Sequence, residues 1–248
     1  MTETTRSYQV LKPGAVHETV LRLQQRISAR FPDRNLQLVA GEVAAAIDAQ
    51  QLQPQSPWYR ALRIASRTAM AVLFGVLVVG IVMLFQSAAR LSAPASVWEW
   101  IQIAESAIND VVFAGIAIWF LWQLPERVQR RHDLKALHTL RSLAHVIDMH
   151  QLTKDPERLR SDFRRTEKSM ALDMTAVDLA NYLDYCSELL SLVSKTAALF
   201  ARDTSDPAIL ATVEGIEDLT TGMARKIWQK IALLPRADEP TGAPRVGA

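Results

Sequence analysis

The sequence predicts an all-α protein organised around a two-span transmembrane helical hairpin, with helical hairpins or a bundle in the cytoplasm at both ends. Three observations predict it. Thr68–Ala89 runs for 22 residues without a charge. A second apolar stretch, Val111–Leu124, follows it closely. Elsewhere, apolar residues recur three and four apart, the spacing of one helix face.

The first span is the cleaner of the two. Arg67 and Arg90 bound it. At 1.5 Å per residue, such a run covers about 33 Å as a helix, roughly one hydrocarbon core. A surface helix of that length in a soluble protein needs a polar face, and this run has none. The second span reads VVFAGIAIWFLWQL, which is short for a crossing, so its helix must begin earlier. Ser96-Val97-Trp98-Glu99, just after Pro94, has the pattern of a capping box. A helix from about Val97 to Leu124 is then long enough, and Pro125 closes the uncharged run.

Orientation follows from the basic residues, which collect on the cytoplasmic side of a membrane protein. Arg60, Arg63 and Arg67 precede the first span, and Arg127, Arg130, Arg131 and Lys135 follow the second. Between the spans stands only Arg90, with Glu99, Glu105 and Asp110. Both termini are expected on the cytoplasmic side of the cell membrane, the inner membrane of a bacterium, with a short outer loop at about Arg90–Ser96. Trp58, Trp98, Trp100, Trp119 and Trp122 fall near the expected interfaces, where amphipathic rings settle; Trp228 does not. Met1–Val10 lacks the basic and apolar regions of a signal peptide, so an internal segment is expected to direct insertion. One cysteine, Cys186, allows no intrachain disulfide, which fits a reducing compartment.

Four domains follow: residues 1–57, a helical hairpin and linker; 58–125, the membrane hairpin, with spans at about 68–89 and 103–124; 126–234, a cytoplasmic bundle; and 235–248, a disordered tail. In the first, Val16, Val20, Leu23 and Ile27 form one apolar face. Pro32-Asp33 breaks that helix, and Leu36, Val39, Val43 and Ile47 repeat the pattern. Gln50–Pro57 reads as linker. In the third domain, Leu134, Leu137, Leu140, Ala144 and Ile147 continue the helix of the second span. Asp155 and Pro156 have the pattern of a new helix start. The last signal is the clearest. Leu179, Leu183, Cys186, Leu190, Val193, Ala197 and Phe200 keep heptad spacing after a Thr175/Asp178 cap. Ile209, Val213, Ile216, Thr220, Met223 and Ile227 keep it again after Pro207. Matched seams, similar lengths and a short turn predict an antiparallel helical hairpin, coiled-coil-like in its packing.

Motifs of common enzymes are absent. There is no GxxxxGK[ST], GxGxxG, GxSxG, HExxH or CxxC. No catalytic residue, cofactor or metal is therefore expected. The net charge of +2 gives no reason to expect nucleic acid. Four groups of residues remain as candidates. His138, Arg141, His145 and Asp148 share a helix edge, for which an intrahelical polar network is the expected reading and a metal site the rarer one. Glu105 and Asp110 lie at the membrane edge, where water is the expected surrounding. Ala71, Gly75, Gly80 and Gly115 permit close helix packing. Arg127, Arg130, Arg131 and Lys135 can meet lipid headgroups.

The function expected from these features is a non-enzymatic, membrane-anchored interaction, scaffold or regulatory module. Its partners would be the lipid bilayer and a second copy or another protein bound through the cytoplasmic helices. The alternative is an oligomeric channel or transport subunit with an acidic outer mouth built from Glu105 and Asp110. A potassium-channel filter is missing between the spans, as is the nucleotide-binding domain of a sensor kinase.

Overall fold

The computed structural model describes residues 10–52, 56–90, 97–159, 163–164, 166–167, 172–202 and 204–234. The expected cap at Ser96, most of the outer loop and the tail from residue 235 lie outside the described residues. Among the described residues there are six α-helices and no strand. They are α1 (Pro13–Arg30), α2 (Leu36–Leu52), α3 (Pro57–Arg90), α4 (Val97–Leu152), α5 (Ala176–Ala201) and α6 (Pro207–Ala232). A single 3-10 turn, Pro156–Leu159, follows α4.

The chain divides into two compact units. The first contains Met1–Gln51 and Asp133–Ala248; the second is Leu52–His132. Sequence periodicity assigns residues 1–57 to a domain of their own. The structure instead joins α1 and α2 to the C-terminal helices through one core. Val16, Val20, Leu23 and Ile27 of α1 and Leu36, Val39, Val43 and Ile47 of α2 share one buried cluster with residues of α5 and α6. Phe31, at the end of α1, packs edge-on against Tyr182 and Tyr185 of α5, with centroids at 5.3 and 6.1 Å. Arg26 of α1 bonds Glu188 of α5 at 2.8 Å.

Local signals set the helix limits. Pro32 follows α1, where the chain turns through Arg34 N–H to Phe31 C=O at 3.1 Å. Gln24 then reaches the Gln37 carbonyl at 3.2 Å, and His17 reaches Asp48 at 3.3 Å, tying α1 to α2. Thr175 caps α5, its hydroxyl oxygen accepting from Asp178 N–H at 3.1 Å. Asp206 caps α6, accepting from Ala208 and Ile209 N–H at 2.8 and 3.3 Å, with Pro207 as the first helical residue. Replacing Asp206 by alanine should cost about 1 kcal/mol, read as a lower denaturation midpoint. Asp155 accepts from Glu157 N–H at 3.2 Å, so the expected cap forms, but it opens a four-residue 3-10 turn rather than a long helix.

Burial follows the helix periodicities. The four face residues of α1 and the six of α6 are all buried. α5 differs from its expected single seam. Its heptad residues are buried, but so are Tyr182, Tyr185, Leu189, Leu192, Thr196 and Leu199. It is the central helix, packed on α1, α6 and the 3-10 turn. The fully buried Thr196 satisfies its hydroxyl locally, donating to the Leu192 carbonyl at 2.8 Å.

In the second unit, α3 and the N-terminal part of α4 shield one narrow stripe each. On α3 this stripe is Leu62, Ser66, Met70, Leu73 and Leu77. On α4 it is Ala107, Ala114, Ile118, Leu121 and Pro125. The expected packing residues lie elsewhere. Ala71, Gly75, Gly80 and Gly115 are exposed, and a Cβ added to any of these glycines meets nothing within 4 Å. On the shielded stripe of α3, Ser66 returns its hydroxyl to the Arg63 carbonyl at 3.1 Å. Pro125 sits inside α4, which continues through it to Leu152.

Two helices are long and apolar enough to cross a membrane. Only 6% of the most apolar window of each is buried. Val72, Phe74, Val76, Val78, Val79, Ile81, Val82 and Met83 of α3 are exposed, as are Val111, Val112, Phe113, Ile116, Trp119, Phe120 and Trp122 of α4. With successive residues 100° apart, these side chains face almost every direction around each helix.

Candidate functional site

The sequence-expected candidates are scattered. His138, Arg141 and His145 are exposed on α4 and Asp148 is half-buried. Among the described residues, no hydrogen bond or ion pair joins the four. Asp148 instead accepts from the Gln151 amide one turn further on. Among the described residues, no group of three or more His, Cys, Asp or Glu side chains has the arrangement to hold a metal. Glu105 and Asp110 are exposed on α4, outside its shielded stripe. Arg127 folds back along its own helix, bonding Gln123 at 2.8 and 3.2 Å and standing 5.6 Å over the Phe120 ring. Arg130, Arg131 and Lys135 are exposed.

A different polar site forms where α4 ends. The C-terminal carbonyls of a helix lack intrahelical partners and attract cations. Here two lysines supply donors to one carbonyl. The backbone N–H of Lys154 bonds the Gln151 carbonyl at 3.1 Å, and the ammonium of Lys230 reaches the same oxygen from α6 at 3.0 Å. The Gln151 side chain is buried, and its Oε1 has no partner among the described residues.

Around this end lies a pocket of about 500 Å³. The turn between α1 and α2 contributes Asp33, Arg34 and Asn35. α4 contributes Val146, Met149 and His150, the segment after it Thr153 and Lys154, and α5 Tyr182. The Tyr182 hydroxyl lies 3.1 Å from His150 Nδ1, and Lys154 Nζ stands 5.7 Å from the Tyr182 ring centre.

Burial sets the electrostatics of the site. It pushes the Tyr182 phenol well above its ordinary range, so the phenol keeps its proton. A neutral imidazole accepting that proton at Nδ1 carries its own at Nε2. Burial, and then the charge of Lys154, hold His150 below its ordinary value. Burial also lowers Lys154, helped by neighbouring Arg34 and Arg158. The thiol of Cys186 is pushed up to about 12 by burial, which keeps it protonated and inert.

These shifts give a pH prediction. Unfolded, His150 returns to its ordinary value of 6.5. The unfolded chain therefore binds the proton first as pH falls, and stability drops from pH 6.5 downward until the folded imidazole is protonated as well. His150→Gln should lose less stability than the unmodified chain between pH 7 and pH 5, measured by denaturation at each pH.

Sequence reasoning missed this site because its residues come from three separated segments. The one available signal was the cluster of Pro32, Asp33 and Asn35 in one turn and Thr153 to Pro156 in another. Comparison of the chain with protein-family models, curated proteins and solved structures finds no match.

Proposed function

We propose that this protein is a membrane-anchored helical interaction module without catalytic activity. In this reading, α3 and the N-terminal part of α4 cross the cell membrane as a hairpin. Both termini face the cytoplasm, and the bundle recruits a partner protein or a second copy.

One observation carries the reading. Two long helices leave apolar side chains uncovered around most of their circumference, while the rest of the chain has a complete core of its own. Water is a poor solvent for such helices, because contiguous apolar surface far above a few hundred Å² is rarely left wet. Lipid is a good one, since both helices satisfy their backbone polar groups internally. Arg60, Arg63 and Arg67 on one side and Arg127, Arg130 and Arg131 on the other support the assigned sidedness. The exposed Ala71 and Gly75 are free to meet another copy rather than α4.

Cross-linking in native membranes tests the interaction role. Adducts of defined mass, formed through the bundle, are expected. A chain that remains monomeric and partnerless under conditions that cross-link other membrane proteins would overturn it.

A further inference from the structure

We propose that the pocket formed by Arg34, His150, Lys154 and Tyr182 binds a phosphomonoester, a dianionic oxyanion carrying an apolar group. The inference stands apart from membrane anchorage, because every residue of the pocket belongs to the first unit.

The first argument is the state of the cations. The Arg34 side chain is half-buried, yet among the described residues it makes no hydrogen bond and no ion pair. A guanidinium has five N–H donors in a planar fork, and partial burial without an acceptor is costly. Lys154 is half-buried too, and among the described residues its ammonium makes one hydrogen bond, a long one of 3.4 Å to the neighbouring Thr153 hydroxyl. Besides burial, the like charges of Arg34 and Arg158 disfavour its own, while the Cys186 thiol, which keeps its proton, offers it no anion. Two like charges brought together in a concave site want a counter-anion. Asp33, the carboxylate on the rim, is exposed and forms no ion pair with either among the described residues.

The second argument is the rest of the lining. Asn35, Thr153 and the His150 imidazole add neutral polar groups able to donate to phosphate oxygens. The Tyr182–His150 hydrogen bond holds the imidazole in place. Beside His150 on the same face of α4, Val146 and Met149 add an apolar patch to the lining, and both are exposed. A bare oxyanion leaves that patch uncovered; an ester with an apolar group covers it. The volume of about 500 Å³ suits a small organic molecule.

A phosphomonoester can arrive as a soluble metabolite or as the headgroup of a lipid such as phosphatidate. The test uses the full chain in detergent at fixed ionic strength, with three probes: inorganic phosphate, phenyl phosphate and phosphatidate in mixed micelles. Calorimetric titration should give saturable binding of phenyl phosphate, tighter than that of inorganic phosphate. Binding of phosphatidate alone, with the same sensitivity to substitution, assigns the ligand to the lipid and also bears the proposal out. Arg34→Gln and Lys154→Gln should each weaken binding about tenfold or more, as loss of a charge-assisted bond does. Arg22→Gln, on the exposed face of α1, should leave it unchanged. Arg34→Lys guards against a folding defect: it keeps the charge and should keep most of the inorganic phosphate affinity. Saturation by none of the probes overturns the proposal. So does binding that Arg22→Gln weakens as much as Arg34→Gln.

Discussion

An aspartate in place of Val78, or of Ile116, should drive the chain out of the membrane fraction. Both residues lie near the middle of their apolar stretches and are exposed, 41% and 56% respectively. A carboxylate at the centre of a spanning helix costs about 3 kcal/mol on insertion scales, more than a hundredfold in the insertion equilibrium. In a soluble protein the same substitution at an exposed position changes stability by only about half a kcal/mol and leaves partitioning untouched. The measurement is the share of protein that pellets on ultracentrifugation and resists alkaline extraction. Leu38→Asp, on the exposed face of α2, is the matched control and should stay with the membrane. If the unmodified chain remains in the supernatant without detergent, the membrane hairpin is wrong.

The second large effect belongs to the centre of the bundle. Leu190 of α5 is 0% exposed, and Leu38 of α2 is 61% exposed. Leu190→Ala should destabilise the first unit by about 2–5 kcal/mol, through lost burial and the cavity left behind. Leu38→Ala should cost less than about half a kcal/mol. Because a domain has only about 5–15 kcal/mol of total stability, the first variant should melt many degrees earlier while the second melts almost unchanged. Equal effects would mean that α5 is not the central helix.

The particular elements show what the sequence reveals and where it stops. All six positions read for α6, five apolar and Thr220, are buried, because that helix has one covered face and periodicity reports faces directly. α5 was half legible. Its heptad marks one seam, while Tyr182, Leu189 and Leu192 cover another; a helix buried on most sides has no polar face to reveal the arrangement. The polar edge His138–Asp148 shows the opposite failure. A wheel places those residues together, but rotamers and distance decide contact, and the long side chains spread into solvent. The phosphate-site candidates were illegible for a third reason. Arg34, Lys154 and Tyr182 meet only after α1, α4 and α5 have packed, and no local pattern records a meeting of that kind. The small residues Ala71, Gly75, Gly80 and Gly115 lie off the shielded stripes, which use Leu73, Leu77 and Ala114, and a contact with another copy leaves no mark on burial within one chain.

The burial of α1 against α5 has a consequence for synthesis. Arg26 and its partner Glu188 are 162 residues apart. At about 5–20 residues per second, translation delivers α5 roughly 8–30 s after α1 has been made. Through that interval both apolar helices pass from the ribosome while Val16, Val20, Leu23 and Ile27 wait without their final cover. A nascent chain arrested before residue 176 should therefore display a sticky amino-terminal hairpin, a natural substrate for chaperones that grip short apolar segments.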